Sequence, residues 1–84
     1  MKIGFIGAGN MAKAMMGGII SHGIFTKEEV IASDAFAASL EGVKESLGVC
    51  VTTDNKEVAQ KAGVIVLSVK PQYYETVIKE IREY

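Results

Sequence analysis

The chain begins with Met1-Lys2-Ile3-Gly4-Phe5-Ile6-Gly7-Ala8-Gly9-Asn10-Met11-Ala12, an apolar run that leads into the pattern G-x-G-x-x-A. This pattern between a strand and a helix is typical of a dinucleotide-binding unit. Gly7 permits a tight turn, Gly9 lets a pyrophosphate approach the backbone, and Ala12 lets the helix lie close to the sheet. The first N–H groups of that helix, at the positive end of its dipole, would face the phosphates.

The remaining apolar pattern predicts alternating strands and helices. The four predicted strands are residues 2–6, 30–33, 49–52 and 64–69. The four predicted helices begin near Met11, Phe36, Asp54 and Pro71. The last strand is a continuous apolar run, which favours a strand covered on both faces. The order βαβαβαβα implies an α/β, Rossmann-like doubly wound parallel sheet with strand order 3-2-1-4.

Individual residues predict how the helices pack and end. The pair Gly17-Gly18 is expected to let the first helix pack closely on the strands, and His22 and Gly23 are expected to end it. Asp54 with Glu57 three residues later predicts a cap for the third helix. The second helix is predicted to carry an apolar stripe formed by Phe36, Leu40, Val43 and Leu47.

Composition excludes several classes of protein. Eighty-four residues with 49% hydrophobic and 23% charged content suit one small globular domain. A net charge of -1 offers no basic excess for nucleic acid or an anionic membrane. No signal peptide or membrane span is recognisable, so we expect a cytoplasmic location. The single Cys50 is predicted to be a reduced, buried strand residue.

Polar residues follow two of the predicted strands. Asp34 stands 25 positions after Gly9, near the spacing of an acid that binds a ribose diol, and this favours NAD. The same carboxylate would repel a 2′-phosphate, although Ser33, Asn55 and Lys56 could offer that group neutral or positive partners. Alternatively, Ser33 or Asp34 only caps the second helix.

Lys70 ends the fourth predicted strand, where it could meet the nicotinamide half of the cofactor or could simply be solvated. Asn55 could likewise belong only to the first turn of a helix. The sequence shows no nucleophile–base pair, metal-ligand cluster or pair of carboxylates in a plausible pocket. We therefore predict no catalytic and no metal-binding residue, and we expect any chemistry to come from the cofactor.

Taken together, the motifs Ile3–Ala12 with Gly17-Gly18, Thr53–Glu57 and Leu67–Gln72 resemble the N-terminal domain of pyrroline-5-carboxylate reductases. The resemblance runs through essentially the whole chain. It implies reduction of 1-pyrroline-5-carboxylate to L-proline, the last step of proline synthesis, with hydride from NADPH or NADH. Members that use NADP often carry a small hydroxyl or a basic group where Asp34 stands, so the resemblance leaves NADP and NAD both open.

The resemblance also implies positions for the cofactor. Residues 6–11 would surround the pyrophosphate, Asp34 would face the adenosine ribose, Asn55 would lie beside the adenine, and residues 68–71 would line the nicotinamide end. The complete set of predicted cofactor-binding residues is Ile6, Gly7, Ala8, Gly9, Asn10, Met11, Ala12, Ser33, Asp34, Asn55, Ser68, Val69, Lys70 and Pro71.

Family members are much longer and carry a helical C-terminal domain for substrate binding and dimerisation. Residues 1–84 are therefore expected to be the N-terminal NAD(P)-binding fragment of a homo-oligomeric enzyme, inactive alone and left with an apolar edge at residues 64–69. Two alternatives are another small dehydrogenase acting on a β-hydroxyacid or an imine, and a non-catalytic module that senses dinucleotides.

Overall fold

The computed structural model describes residues 2–82, in which strands and helices alternate. The elements are β1 (Ile3–Ile6), α1 (Asn10–Ser21), β2 (Val30–Ser33), α2 (Ala37–Leu47), β3 (Cys50–Thr52), α3 (Asn55–Lys61), β4 (Val64–Leu67) and α4 (Tyr74–Ile81). Short 3-10 turns at Lys27–Glu29 and Pro71–Tyr73 precede β2 and α4. The strands form one parallel sheet in the order β3-β2-β1-β4, which confirms the predicted fold class and strand order.

The strand β1 lies between β2 and β4, so the strand order reverses on either side of it. Ile6, its last residue, pairs with Ser33 of β2 and with Leu67 of β4. The carboxyl ends of the three strands are therefore level with one another. In open parallel sheets, the loops that leave this position enclose a ligand crevice.

Apolar side chains cover both faces of the sheet. The larger cluster packs α1 and α2 on one face, with Phe5, Met16 and Val43 among its fully buried members. The smaller cluster packs α3 and α4 on the other face, around Ile6 and Val58. This arrangement confirms a doubly wound sheet. None of the helices in residues 2–82 combines the length and the hydropathy that a membrane span requires.

The two edge strands are less covered than predicted. Cys50 lies in β3, but it is exposed, so the prediction that it is buried is wrong. Side chains alternate between faces along a strand, and Val49 and Val51 take the covered face. Val64 of β4 is 54% exposed because β4 has a neighbouring strand on one side only. The rest of β4 is covered on both faces, as predicted, because its alternate residues pack against the two apolar clusters. The predicted apolar edge is also confirmed within residues 2–82.

The predicted helix ends are mostly confirmed. Gly23 has a φ of +71°, and the Nδ1 atom of His22 lies 2.9 Å from the carbonyl oxygen of Gly18 in the last turn of α1. Asp54 caps α3 by accepting a hydrogen bond from the backbone N–H of Lys56 at 2.9 Å. Glu57 does not complete a capping box, because its carboxylate pairs with Lys61.

Two packing predictions are wrong. A Cβ atom at Gly17 would make only an ordinary contact, 3.7 Å from Leu47, and one at Gly18 would meet nothing within 4 Å. In this chain the glycine pair is not required for close packing. Phe36 precedes α2 as its N-cap residue and is 73% exposed, so it does not join the buried stripe of that helix.

Gly4, unlike the pair Gly17-Gly18, is required for close packing. A Cβ atom at Gly4 would clash with Val58 and would lie 2.9 Å from the Cβ of Ala62. We expect Gly4→Ala to lower the free energy of unfolding by about 1–3 kcal/mol through overpacking. Gly18→Ala, with open space around the new methyl group, should raise it by up to about 1 kcal/mol. Urea denaturation of both variants measures the difference, and equal midpoints would contradict this account.

Candidate functional site

The glycine turn after β1 is held by its contact with the end of β4. Gly7 has a φ of +106°, and a Cβ atom there would lie 2.7 Å from the carbonyl oxygen of Ser68. The hydroxyl of Ser68 donates to the carbonyl oxygen of Gly7 at 2.8 Å. A residue with a side chain would be strained at this φ and would push the two loops apart. The turn therefore has a defined position above the end of the sheet.

The N-terminus of α1 is open to an anion. Gly9 is the N-cap residue, and no side chain among residues 2–82 caps this helix. A Cβ atom at Gly9 would meet nothing within 4 Å, so the space beside the turn is free. The first turn contains no acidic residue. Exposed N–H groups at a helix N-terminus attract negative charge, and this position suits a phosphate group.

Asp34 connects the end of β2 to the glycine turn. Its Oδ2 atom accepts a hydrogen bond from the backbone N–H of Ala8 at 2.8 Å, and its Oδ1 atom accepts one from the backbone N–H of Phe36 at 2.9 Å. The side chain is half-buried. Neither Asp34 nor Ser33 caps α2, whose N-cap residue is Phe36 and which has no side-chain cap hydrogen bond. The alternative that these residues only cap the helix is therefore wrong, and the bond from Asp34 to Ala8 spans 26 positions in the sequence. Each carboxylate oxygen retains a lone pair for a further donor.

A second set of hydrogen bonds connects β2 to α3 and α4. The hydroxyl of Ser33, which is 0% exposed, donates to the Oδ1 atom of Asn55 at 2.5 Å. The Nδ2 atom of Asn55 donates to the Oε1 atom of Glu80 in the last turn of α4 at 2.7 Å. Asn55 is thus more than the first residue of α3, since it joins β2 to α4.

The ends of β1, β2 and β4 enclose a cleft of about 600 Å³. Its volume is within the range of about 300–1,000 Å³ that is usual for small-molecule sites. The predicted residues that line it are Ile6, Gly7, Gly9, Asp34, Asn55, Ser68, Val69 and Lys70. The predicted residues that do not line it are Ala8, Asn10, Met11, Ala12, Ser33 and Pro71. Of the latter, Ala8, Ala12 and Ser33 are buried, so their side chains support the turn and the sheet.

Sequence reasoning missed part of the cleft wall. The additional lining residues are Ala35, Phe36, Tyr73, Thr76 and Val77. Phe36 directly follows Asp34 and Ala35, so its place after β2 was a usable signal. The residues from α4 and its preceding turn could not be assigned in this way, because their approach to the cleft depends on how that helix packs.

Within the part of the chain that the structure describes, the ionisable groups with a shifted pKa lie outside the cleft lining. The backbone N–H of Thr26 lowers the pKa of Glu29, and the ion pair with Lys61 lowers the pKa of Glu57. The same pair raises the pKa of Lys61. Glu29 caps the 3-10 turn at Lys27–Glu29, and Glu57 and Lys61 form an ion pair on the surface of α3. These pKa shifts therefore do not indicate a catalytic site. No group of histidine, cysteine, aspartate and glutamate side chains in residues 2–82 could hold a metal ion.

Several known pyrroline-5-carboxylate reductases are similar in sequence to this chain, which confirms the resemblance. The enzyme of Methanosarcina acetivorans is 41% identical over 81 residues, which cover 96% of this chain and 30% of the relative. Pyrroline-5-carboxylate reductase 3 of Danio rerio is 43% identical over 83 residues, 99% of this chain and 28% of the relative. The chain thus spans less than a third of the length of these relatives.

Solved structures and a family-wide comparison agree with this resemblance. The pyrroline-5-carboxylate reductase of Coxiella burnetii superposes with a TM-score of 0.92 at 35% identity, covering 98% of this chain and 30% of that chain. The pyrroline carboxylate reductase of Plasmodium falciparum, solved with NADP bound, gives a TM-score of 0.83 at 28% identity, covering 100% of this chain and 29% of that chain. Residues 2–84 match the family described as NADP oxidoreductase, coenzyme F420-dependent. The chain belongs to this family.

Proposed function

We propose that this chain binds NADPH or NADH in the cleft between β1, β2 and β4. One observation carries the proposal: the glycine turn, Asp34 and residues 68–70 line the same cleft at the position where the strand order reverses. Each group comes from a different strand end. A dinucleotide needs a phosphate turn, a ribose acceptor and a wall for the nicotinamide, and the three groups supply these in turn.

The residues present fit the cofactor. The open space at Gly9 and the uncapped start of α1 would receive the pyrophosphate. Asp34 would accept from the adenosine ribose through its remaining lone pairs. Asn55 lines the same cleft and is bonded to Ser33, the residue before Asp34. Residues 68–71, which include the exposed Lys70, would lie at the nicotinamide end. When bound, the reduced cofactor would supply the hydride.

The activity proposed for the whole protein is that named for its relatives, reduction of 1-pyrroline-5-carboxylate to L-proline. This reaction adds a hydride to the imine carbon and a proton to the nitrogen. Residues 1–84 would be the N-terminal cofactor-binding part, whereas substrate binding and proton donation would belong to other parts of a cytoplasmic homo-oligomer. We do not expect residues 1–84 alone to reduce the imine, and we propose no nucleic-acid partner.

Separate calorimetric titrations with NADH and NADPH test the proposed site. We expect NADH to bind more tightly than NADPH, by about tenfold or more, because the Asp34 carboxylate would repel a 2′-phosphate. Asp34→Ser should remove most of that difference, mainly by improving the affinity for NADPH.

Asp54→Ser is the matched control, since it also replaces an aspartate near a helix start but lies outside the cleft lining. It should leave the ratio of the two dissociation constants unchanged. Tighter binding of NADPH by the unsubstituted chain would contradict the role of Asp34, and binding of neither cofactor would contradict the proposed function.

The exposed ring of Phe36 offers a stacking surface for the adenine. The sequence contains no tryptophan, so Phe36→Trp introduces a single indole at the cleft wall. We expect ADP-ribose, which carries the adenine without the nicotinamide, to quench its fluorescence because bases stack on aromatic rings. Ile24→Trp, at an exposed position outside the cleft lining, should not respond. Equal responses of the two variants would count against stacking.

A further inference from the structure

Glu80 occupies a position that the stability of its own helix does not explain. It lies in the last turn of α4, where the helix dipole disfavours a negative charge. Its side chain is exposed, and it is not among the residues that line the cleft. Its carboxylate nevertheless accepts a hydrogen bond from the Nδ2 atom of Asn55, which does line the cleft.

This bond determines which way the amide of Asn55 is turned. The hydroxyl of Ser33 can donate or accept, so the contact between Ser33 and Asn55 would permit either orientation of the amide. An ionised carboxylate only accepts hydrogen bonds. A reversed amide would place its oxygen against the Oε1 atom of Glu80, and this arrangement is repulsive. Glu80 therefore selects the orientation in which Oδ1 accepts from Ser33 and Nδ2 faces α4.

We propose that Glu80 is a positioning residue for the dinucleotide, acting through Asn55. With both contacts made, Asn55 retains one N–H and one lone pair whose directions are set for a ligand in the cleft. A preorganised group loses less freedom when the ligand binds. This inference rests on the proposed function, because it requires a dinucleotide to contact Asn55.

Removal of the Glu80 charge distinguishes two possible roles, because each role predicts a change of dinucleotide affinity in the opposite direction. A carboxylate near the cleft that acted only through its charge would repel an anionic dinucleotide, so its removal would tighten binding. A carboxylate that positions Asn55 has the opposite effect. We expect Glu80→Ala to raise the dissociation constant of NADH by about threefold to tenfold, the range of one hydrogen bond. The dissociation constant of Glu80→Gln should lie between those of the unsubstituted chain and Glu80→Ala. The introduced amide can accept a hydrogen bond from Nδ2 of Asn55, but it can also donate one to the oxygen of a reversed Asn55 amide.

A double-mutant cycle separates this role from a general loss of structure. In the Asn55→Ala background, Glu80→Ala should produce no further change in the dissociation constant. Glu75→Ala is the matched control, because Glu75 is exposed on the same helix and pairs with Lys79 at 3.0 Å. It should leave the affinity unchanged.

Circular dichroism melts establish that each variant is folded. If Asn55→Ala does not fold, the NADH affinities of Glu80→Ala and Glu80→Gln distinguish the two roles of Glu80. A charge effect alone would tighten NADH binding in both variants. Unchanged or tighter binding by Glu80→Ala, or a loss that persists without Asn55, would overturn the inference. If the unsubstituted chain binds no dinucleotide, the proposed function falls and this inference falls with it.

Discussion

The close approach of Gly7 to the carbonyl oxygen of Ser68 sets the geometry of the cleft. Because β1 and β4 are neighbours with level ends, the loops that follow them start side by side and must diverge at once. The positive φ of Gly7 lets the chain turn away from β4, and the lack of a Cβ atom lets the two loops lie close together where they separate. The hydroxyl of Ser68 holds the turn through the carbonyl of Gly7. The N-terminus of α1 therefore opens onto the cleft.

Hydrogen bonds within the protein hold the polar groups of the cleft in place. The carboxylate of Asp34 accepts from the backbone of Ala8 and of Phe36, and it thereby joins the glycine turn to the loop after β2. The carboxylate can still accept hydrogen bonds from a ligand, because each of its oxygens can accept more than one hydrogen bond. The same side chain can hold the glycine turn and take part in the proposed ribose contact, so loss of affinity in a variant must be compared with its loss of stability.

The parts of this fold that depend on local sequence were predictable. Strand and helix positions follow from apolar spacing, and the strand order follows from the βα alternation. Exposure was less predictable, because it depends on which element covers which face. Cys50 and Val64 look like core residues in sequence but lie on edge strands, and Phe36 fits a helical stripe but precedes the helix. Local patterns contain no information about these neighbours.

Some cleft residues could likewise be predicted from local sequence, whereas others depend on how the helices pack. The glycine turn and Asp34 stand at the spacing that is typical of dinucleotide-binding units, so their place in the cleft could be predicted from the sequence. The contribution of α4 could not, because it depends on packing: Val77 is buried against the second core cluster, and this packing brings Glu80 within reach of Asn55. A helix with few direct contacts in the cleft can therefore influence recognition there, through one amide whose orientation it selects.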